Sequence, residues 1–489
     1  MSMFRNNWRG CADWRSEGLP IGSTTSDTAV KLYDAAITQD WRSEGLPIGS
    51  TTSDTAVKLY DAAITQLIGW FDDPNVGGLV KTVDDMHSAD PNFILGRSFS
   101  LGLELIGTGT TIRLNNDLNT QLQDLVQLAN KNRDKIEDRE YRHVEAVRKF
   151  ASGDWSGASD VWEQILVDYP TDLQALKFNH DALFYLGKST QIRDSIARVL
   201  PVWRDSSLPL KSYIHGMYAF GLEETLLYDR AEREAKLALE ANRNDGWATH
   251  AISHVMVMEG RVDEGIDFMS STVKDWSACN YLACHNFWHL ALFHIERQEY
   301  ETAVQLFDSE IGRRALHNKA MLDCVDAASL LYRLDLIKPK EFVTHEHWED
   351  VYSIIEPHLN DHIMGFNDAH FLMACLGAQH TKEAHQLIET FDPSVSSDSW
   401  IRVTVPLLEA MVDFHEERYQ QTVEKLMKIR YDIIDIGGSD AQRDVFNQLL
   451  IVAALKSPLD SHKRLCQRLC AERQALNDSP FVNTLLSVK

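Results

Sequence analysis

The chain has 489 residues, of which 44% are hydrophobic and 25% are charged, a composition typical of an ordinary folded protein. Asp and Glu outnumber Lys and Arg by 72 to 48, so the formal net charge is −24. This charge opposes binding to nucleic acid and to anionic membranes, because both depend on basic groups. We therefore expect no nucleic-acid partner and no membrane partner.

The sequence carries no targeting or membrane signal that we recognise. The polar start Met-Ser-Met-Phe-Arg-Asn-Asn-Trp lacks the apolar core of a secretory signal. No run of about 18 apolar residues occurs, so no transmembrane helix is expected. The seven cysteines are scattered and form no CxxC motif, and most of them lie in apolar helical patterns. These features predict a cytoplasmic protein with buried, reduced thiols.

A perfect tandem repeat lies near the N-terminus. Residues 13–39 recur without a change at residues 40–66. Structural repeats diverge in sequence because only their packing positions are constrained, so this identity indicates a recent duplication or a gene-model error. Each copy contains a Gly-Leu-Pro-Ile-Gly loop and a capped amphipathic helix. We expect one docking site, with the second copy packed against it and the segment 1–39 loosely packed.

Residues 40–134 have a helical pattern and are interpreted as an N-terminal helical cap region. They include Leu-Ile-Gly-Thr-Gly-Thr-Thr at 105–111, a loop composition that can bind phosphate. The GxxxxGK[ST] motif and a preceding β-strand pattern are both absent, so we interpret this loop as a helix end followed by a turn.

A degenerate period near 34 residues begins at about residue 135, and this is the tetratricopeptide period. Its first anchor is Gly-Asp-Trp-Ser-Gly-Ala-Ser-Asp-Val-Trp at 153–162, with Pro170 closing the unit. The same register recurs at Tyr228/Ala231/Ala238, Tyr300/Ala303/Phe307, Ala384 and Tyr419/Thr422. A small residue at Ala158, Ala231 or Ala303 lets the second helix of a pair approach the first closely.

This period predicts an all-α, tetratricopeptide-like superhelix, a solenoid of paired antiparallel helices. We expect regular repeats over residues 135–310. Divergent repeats and C-terminal capping helices are expected over residues 311–489.

Several long strings resemble the tetratricopeptide repeat protein 38 family over nearly the whole chain. They include Leu-Ala-Cys-His-Asn-Phe-Trp-His at 282–289, Phe-Asn-Asp-Ala-His-Phe-Leu-Met-Ala at 366–374 and Gly-Gly-Ser-Asp-Ala-Gln-Arg-Asp-Val-Phe-Asn-Gln-Leu-Leu at 437–450. The resemblance implies an α-helical repeat fold. It implies no settled biochemical activity and supplies no catalytic residues. The duplicated segment departs from the family pattern, which has one copy.

Polar residues recur on the first helix of successive repeats, the helix that lines the concave binding face of such solenoids. Two histidine pairs are spaced by four residues, so the members of each pair share a helix face. We predict that these residues line a common groove as ligand-binding candidates. The predicted members are Asp181, Trp247, His250, His254, His285, His289, Asp323, Asp326, Asp368, His370 and Arg443.

The chemistry of this set stays open between three interpretations. The histidines can form a structural hydrogen-bond network, line a pocket for a small polar ligand or peptide, or bind a metal ion. Imidazole and carboxylate ligands suit zinc, iron or manganese, and the metal candidates are His250, His254, His285 and His289. The HExxH motif is absent, and the nearest string, His-Glu-Glu-Arg-Tyr at 415–419, lacks the second histidine. The sequence therefore predicts no cofactor.

Other chemical motifs are weak. Cys466 and Cys470 share a helix face with His462, but neighbouring leucines indicate a packing helix. Cys284 and His285 are adjacent and so point about 100° apart on a helix, which is poor geometry for a nucleophilic dyad. No GxSxG motif occurs.

The leading hypothesis is a non-enzymatic scaffold whose concave groove binds a protein, a peptide or a small polar ligand. The alternative hypothesis is a metal- or cofactor-dependent enzyme that uses the His/Asp cluster. The first predicts an open groove, whereas the second predicts that the four histidines converge with an aspartate around one cavity.

Overall fold

The computed structural model describes residues 46–338, 340–392 and 399–476. Within these ranges the chain forms α-helices with short 3-10 and π-helical segments and no β-strand. The first copy of the duplication, and with it the expected loose packing of residues 1–39, lies outside the described residues. The second copy is described from residue 46 onward, and its Leu46, Ile48 and Tyr60 are buried.

The first part of the described chain contains the N-terminal helices and the regular repeats. These are α1 (Asp54–Gly69), α2 (Gly78–Ala89), α3 (Ile94–Ile106), α4 (Asn116–Lys131), α5 (Asp138–Ala151), α6 (Trp155–Asp168), α7 (Leu173–Tyr185), α8 (Ser189–Asp205), α9 (Lys211–Glu223), α10 (Tyr228–Ala241), α11 (Gly246–Met258) and α12 (Val262–Trp276).

The second part continues the helical pairs with more irregular connections. Its helices are α13 (Asn280–Glu296), α14 (Tyr300–Leu306), α15 (Gly312–Asn318), α16 (Met321–Ile337), α17 (His345–Ile355), α18 (Gly365–Gly377), α19 (Thr381–Glu389), α20 (Val405–His415), α21 (Tyr419–Ile429), α22 (Asp440–Lys456) and α23 (Asp460–Leu476). A π-helical segment, Phe307–Ile311, joins α14 to α15, and another, Trp400–Thr404, precedes α20. The 3-10 segments are Glu356–His358 and Ile433–Ile436.

Side-chain caps define the start of several helices. Ser53, Asp172 and Asp245 each accept a hydrogen bond from the backbone N–H three residues later. Ser439 and Gln442 form a reciprocal capping box at the start of α22. Such caps satisfy N–H groups that the first helical turn leaves without a partner. They fix where each helix starts, and therefore which side chains face inward.

Consecutive helices pair in an antiparallel manner, and the second helix of each pair carries the predicted small residue. Ala158 on α6, Ala231 on α10 and Ala303 on α14 are 0% exposed. The first helices of successive pairs, from α9 through α11, α13, α16 and α18, lie side by side and form the inner layer. The fold is thus the tetratricopeptide-like α-helical solenoid that the period predicted.

Both ends of the described chain pack against the inner layer. Helices α1 and α3 contact α7, while α22 contacts α11 and α16. At the turn before α22, Gly437 has φ +89°, and a Cβ there would lie 2.6 Å from the carbonyl oxygen of Tyr185. Both the positive φ and the short distance to Tyr185 require glycine at this position. These helices therefore narrow the concave face of the solenoid to a central space.

Two further expectations concern the membrane and the cysteines. No helix in the described ranges is long and apolar enough to cross a bilayer. The six described cysteines are buried and form no disulfide with one another.

Candidate functional site

A cavity of about 390 Å³ lies between the inner helices and the two ends of the described chain. Its wall is mostly apolar and includes many aromatic rings. Volumes in this range are typical of small-molecule sites. The aromatic residues of the wall are Trp70, Phe184, Tyr185, Phe220, Trp247, Tyr281 and Phe366.

The mouth of the cavity is marked by lining residues that are exposed to solvent. Val80 on α2 is 74% exposed, and Gly107, Asn318 and Ala320 are also exposed. These residues come from α2, the loop after α3, and the connection between α15 and α16. A small molecule would enter the cavity between these segments.

A buried ion pair with an aromatic surround forms one side of the wall. The ammonium nitrogen of Lys177 lies 2.6 Å from Oδ1 of Asp181. It also lies 4.7 Å and 5.1 Å from the ring centroids of Trp70 and Trp247. Burial lowers the pKa of Lys177 even though Asp181 opposes the shift. Burial alone would raise the pKa of Asp181, but Lys177 and His180 together outweigh it and lower that pKa.

Four histidines from two adjacent inner helices converge beside the cavity. His250 and His254 belong to α11, and His285 and His289 belong to α13. One nitrogen from each ring lies within 4.8 Å of the others. Nε2 of His285 is 3.0 Å from Nε2 of His250 and 3.2 Å from Nε2 of His289. All four are at most 4% exposed, and His250 and His285 also line the cavity.

Carboxylates lie behind two of the four rings. Nδ1 of His285 is 2.7 Å from Oδ2 of Asp326, and the side-chain amide of Gln442 donates to Oδ1 of the same aspartate. Nδ1 of His254 is 3.2 Å from Oε2 of Glu223. Asp326 favours the tautomer of His285 with the proton on Nδ1. The Nε2 lone pair of His285 is therefore directed toward His250 and His289, whereas Nδ1 of His254 approaches Glu223 without a hydrogen bond.

The neighbouring Glu224 connects this layer to α22. Its Oε1 accepts a 3.0 Å hydrogen bond from the backbone N–H of Asp440, and its Oε2 lies 3.7 Å from the guanidinium of Arg443. Burial, and next the charge of Glu223, raises the pKa of Glu224 to about 8. Burial also raises the pKa of Glu223 well above its ordinary value.

Burial favours the neutral form of three histidines of the cluster, His250, His254 and His289. It lowers the pKa of His250 and His289 well below the ordinary value, and the neighbouring imidazoles add to the shift. It lowers the pKa of His254 to about 4. Neutral imidazole is the form that offers a lone pair to a metal ion. Among the described residues, Nε2 of His254 has no hydrogen-bond partner.

The structure distributes the other predicted residues as follows. Asp326 joins the cluster through His285, and Trp247 and Asp181 belong to the cavity wall with Lys177. Asp323 also lines the cavity, where Asn318 donates to its carboxylate at 2.7 Å, and burial raises its pKa to about 6.

Three predicted members lie away from the histidine cluster. Asp368 lies 2.8 Å from Nδ1 of His362. His370 forms its contact with the backbone oxygen of Phe366. Arg443 donates to the carbonyl of Gly438 and reaches the layer only through Glu224. Their spacing placed them on inner helices, but later repeats direct these side chains to local partners.

Sequence reasoning missed the two carboxylates beside His254. Glu223 and Glu224 end the inner helix α9, one repeat before His254, and both are at most 5% exposed. In the sequence, a pair of acidic residues followed by Thr-Leu-Leu is typical of a solvent-exposed helix end. Their burial depends on α22, whose docking is not encoded in the repeat period.

The weaker chemical motifs gain no support from geometry. The residue groups with metal-binding spacing in the described ranges are the four histidines and the set Glu223, Glu224 and His254. Cys466 and Cys470 belong to neither group, and His462 is 2.9 Å from the hydroxyl of Ser457.

Comparison with known proteins supplies no family, since no family model matches the chain. Among solved structures, the chain is similar to a human IFIT1 dimer with PPP-AAAA at 12% identity and a TM-score of 0.35, covering 82% of this chain and 94% of that one. An IFIT1 monomeric mutant with Gppp-AAAA matches at 12% identity and a TM-score of 0.35, with 91% and 100% covered. A TM-score of 0.35 is too low for those ligands to bear on this protein.

Proposed function

We propose that this protein binds a small molecule with a largely apolar body in the central cavity. The observation that carries the proposal is the cavity of about 390 Å³, lined by aromatic and aliphatic side chains and opening at exposed residues. Apolar pockets with a few convergent polar groups are the usual form of small-molecule sites. Burial of the ligand's apolar surface would provide most of the binding free energy.

The polar residues of the wall indicate how such a ligand would be oriented. Asp181, His250, His285 and Asp323, on α7, α11, α13 and α16, contribute oxygen or nitrogen atoms to the same cavity. A ligand with one hydrogen-bonding end would direct it toward these residues and leave its apolar body against the aromatic rings. Buried polar groups reject ligands that leave them without partners, so this band would provide specificity.

A peptide or a nucleic acid fits the geometry less well. An extended peptide needs an open groove along the inner helices, but α1, α3 and α22 occupy that face. The net charge of −24 disfavours a polyanion. A small molecule that enters at the mouth avoids both obstacles.

We also propose membership in the tetratricopeptide repeat protein 38 family and a cytoplasmic location. The long strings at 282–289, 366–374 and 437–450 support the family, and most of their residues belong to α13, α18 and α22. The buried cysteines without disulfides support the location.

The proposal is tested with the fluorescent probe 1-anilinonaphthalene-8-sulfonate, whose emission rises in apolar surroundings. The full-length protein is expected to bind one equivalent in a saturable manner. Ala320→Trp places an indole at the mouth and is expected to weaken probe binding at least about tenfold, equivalent to 1.4 kcal/mol.

The matched control is Ala471→Trp, an exposed helical position on α23 outside the cavity wall. This variant is expected to bind the probe like the parent protein. Probe binding that Ala320→Trp leaves unchanged, or no saturable binding by the parent protein, would refute a ligand site in this cavity.

A further inference from the structure

The geometry of the four-histidine cluster points to a binding site for a divalent first-row transition-metal ion. We propose that His250, His254, His285 and His289 bind this ion through one nitrogen each. This inference goes beyond small-molecule binding and does not depend on it.

The spacing of the ring nitrogens is the first argument. A tetrahedral ion with metal–nitrogen bonds of 2.0–2.1 Å holds its ligand atoms about 3.3 Å apart. Nε2 of His285 lies 3.0 Å and 3.2 Å from Nε2 of His250 and His289. The four ligand atoms span no more than 4.8 Å. A small shift of the rings would bring all four nitrogens to bonding distance from a common centre.

The carboxylates behind the rings are the second argument. A metal-bound histidine commonly donates its other N–H to a carboxylate, which fixes the tautomer and the ring orientation. Asp326 occupies this position behind His285 at 2.7 Å, and Glu223 lies 3.2 Å behind His254. Gln442 holds Asp326 in turn. The hydrogen bond to Asp326 directs Nε2 of His285 inward, whereas Glu223 is close to Nδ1 of His254 without a hydrogen bond.

Hydrogen bonding alone accounts poorly for the cluster. If Asp326 fixes the proton of His285 on Nδ1, one Nε2 lone pair faces the Nε2 atoms of both His250 and His289. Nε2 of His254 finds no hydrogen-bond partner in the described ranges, and neither does its Nδ1. Leaving buried polar atoms without partners costs about 1–3 kcal/mol each. An ion would use all four inward lone pairs at once.

The acidic side chains around the cluster are oxygen donors that also suit a cation. Glu223, Glu224 and Asp326 are all at most 5% exposed and lie next to the histidine layer. Arg443 lies 3.7 Å from Glu224 and is a nearby positive group. Nitrogen ligands without thiolates suit Zn²⁺, Fe²⁺, Co²⁺, Ni²⁺ or Cu²⁺ better than Mg²⁺ or Ca²⁺.

The ion would lie in the wall of the cavity. His250 and His285 contribute to both the cluster and the cavity lining, whereas His254 and His289 lie behind them. A molecule in the cavity could therefore approach the ion from the side of His250 and His285.

The experiment uses full-length protein stripped with a chelator and then titrated with Zn²⁺ or Co²⁺ in isothermal calorimetry. We expect one equivalent of metal per chain and an increase in thermal midpoint, because the ion binds the folded state preferentially. Co²⁺ bound in the cluster is expected to give the intense visible absorption of a four-coordinate nitrogen site.

Three variants locate the site. His289→Gln is expected to weaken metal binding by more than about 100-fold, and Asp326→Asn by about 10–100-fold through His285. The matched control His370→Gln changes another buried histidine, one that contacts the backbone oxygen of Phe366, and is expected to bind metal like the parent protein.

Two results would overturn the inference. One is the absence of stoichiometric binding by the stripped parent protein. The other is equal binding by His289→Gln and the parent, which would mean adventitious binding at surface histidines. If His289→Gln fails to fold, X-ray absorption of the Zn²⁺-loaded parent decides, since oxygen-dominated coordination would contradict a site built from four imidazoles.

Discussion

The side-chain amide of Asn367 donates a 3.2 Å hydrogen bond to the hydroxyl of Thr108, although 259 residues separate them in sequence. Both residues line the central cavity. Arg113, in the loop that follows Thr108, donates to the carbonyl oxygen of Asp361. These contacts join the N-terminal helices to the later repeats. They help to convert the concave face of a solenoid into the wall of a cavity.

The turn at Gly437 is a second place where distant repeats meet, and it gives a first prediction. Gly437→Ala is expected to destabilise the protein by about 1–3 kcal/mol, because φ +89° strains an L-residue and the new Cβ would lie 2.4 Å from Cε of Met364. The measurement is the thermal unfolding midpoint, and loss of α22 docking should also weaken probe binding in the cavity.

Gly153→Ala is the control for this turn. Gly153 has φ +86°, but a Cβ there has no neighbour within 4 Å. This variant should show the strain of a left-handed residue alone, about 1–2 kcal/mol, without a change in probe binding. If Gly437→Ala and Gly153→Ala lower the thermal midpoint equally and bind the probe equally, the close approach of Gly437 to Tyr185 does not contribute to stability.

The repeat period predicted the helical pairs and the inward histidines, because both depend on contacts between neighbouring helices. Ala158 and Ala231 are buried where the period placed them, and His285 meets His250 across adjacent inner helices. The period could not predict that Glu224 would accept a hydrogen bond from Asp440, 216 residues away. The curvature of the solenoid is the sum of small rotations between repeats. The residues at the packing positions of a repeat do not specify these rotations.

The same limit explains why some residues of the predicted set lie away from the histidine cluster. His254 and His289 converge because α11 and α13 pack closely along their length. Asp368 and His370 follow a comparable spacing on α18, but they contact a nearby imidazole and a backbone oxygen instead of the cluster. Spacing identifies the helix face, whereas the partner depends on the loops and the curvature.

The buried pair of Lys177 and Asp181 gives a second prediction. The side chain of Lys177 is 0% exposed and that of Asp181 is 12% exposed. Lys177→Met leaves a carboxylate in an apolar wall and is expected to destabilise the protein by about 3–5 kcal/mol. The double variant Lys177→Met/Asp181→Leu should recover most of this loss, as a thermal midpoint will show. Equal midpoints for the single and double variants would contradict the assigned pairing.

A buried triad at Asp172 gives a third prediction, on acid stability. Oδ2 of Asp172 lies 2.7 Å from Arg139 and 2.9 Å from His143, and all three side chains are 0% exposed. Burial alone would raise the pKa of Asp172, but His143 and then Arg139 outweigh it and hold that pKa well below its ordinary value. A carboxyl with a depressed folded-state pKa contributes stability above its unfolded pKa.

That contribution is expected to be lost as the pH falls below about 4, the ordinary pKa of an aspartate. Asp172→Asn should lower the free energy of unfolding by about 3–5 kcal/mol at neutral pH, because it leaves Arg139 buried without its counter-charge. The variant should also lose less stability than the parent protein as the pH falls below about 4. Asp168→Asn is the control. The side chain of Asp168 is 51% exposed and pairs with Arg142, so this variant should change the free energy of unfolding little. Urea unfolding at several pH values measures both, and parallel acid profiles for Asp172→Asn and the parent would rule out the triad.

The helix cap at Asp245 gives a fourth prediction with the opposite pH dependence. Oδ1 of Asp245 accepts a 3.0 Å hydrogen bond from the backbone N–H of Ala248, while Oδ2 has no hydrogen-bond partner in the described ranges. Burial raises the pKa of Asp245 to about 7. The folded state therefore binds the proton more tightly than the unfolded state, so stability is lost as the pH rises from about 4 to about 7.

Asp245→Asn keeps the cap acceptor and removes the ionisation, because Asn caps helices about as well as Asp. The variant is expected to match the parent near pH 4 and to exceed its stability by an amount on the order of a few kcal/mol at pH 8. Asp154→Asn alters an exposed cap whose carboxylate Lys149 stabilises, and this control should not gain stability at high pH. If the difference between Asp245→Asn and the parent is constant from pH 4 to pH 8, the Asp245 carboxyl is ionised throughout, and α11 begins at a charged cap.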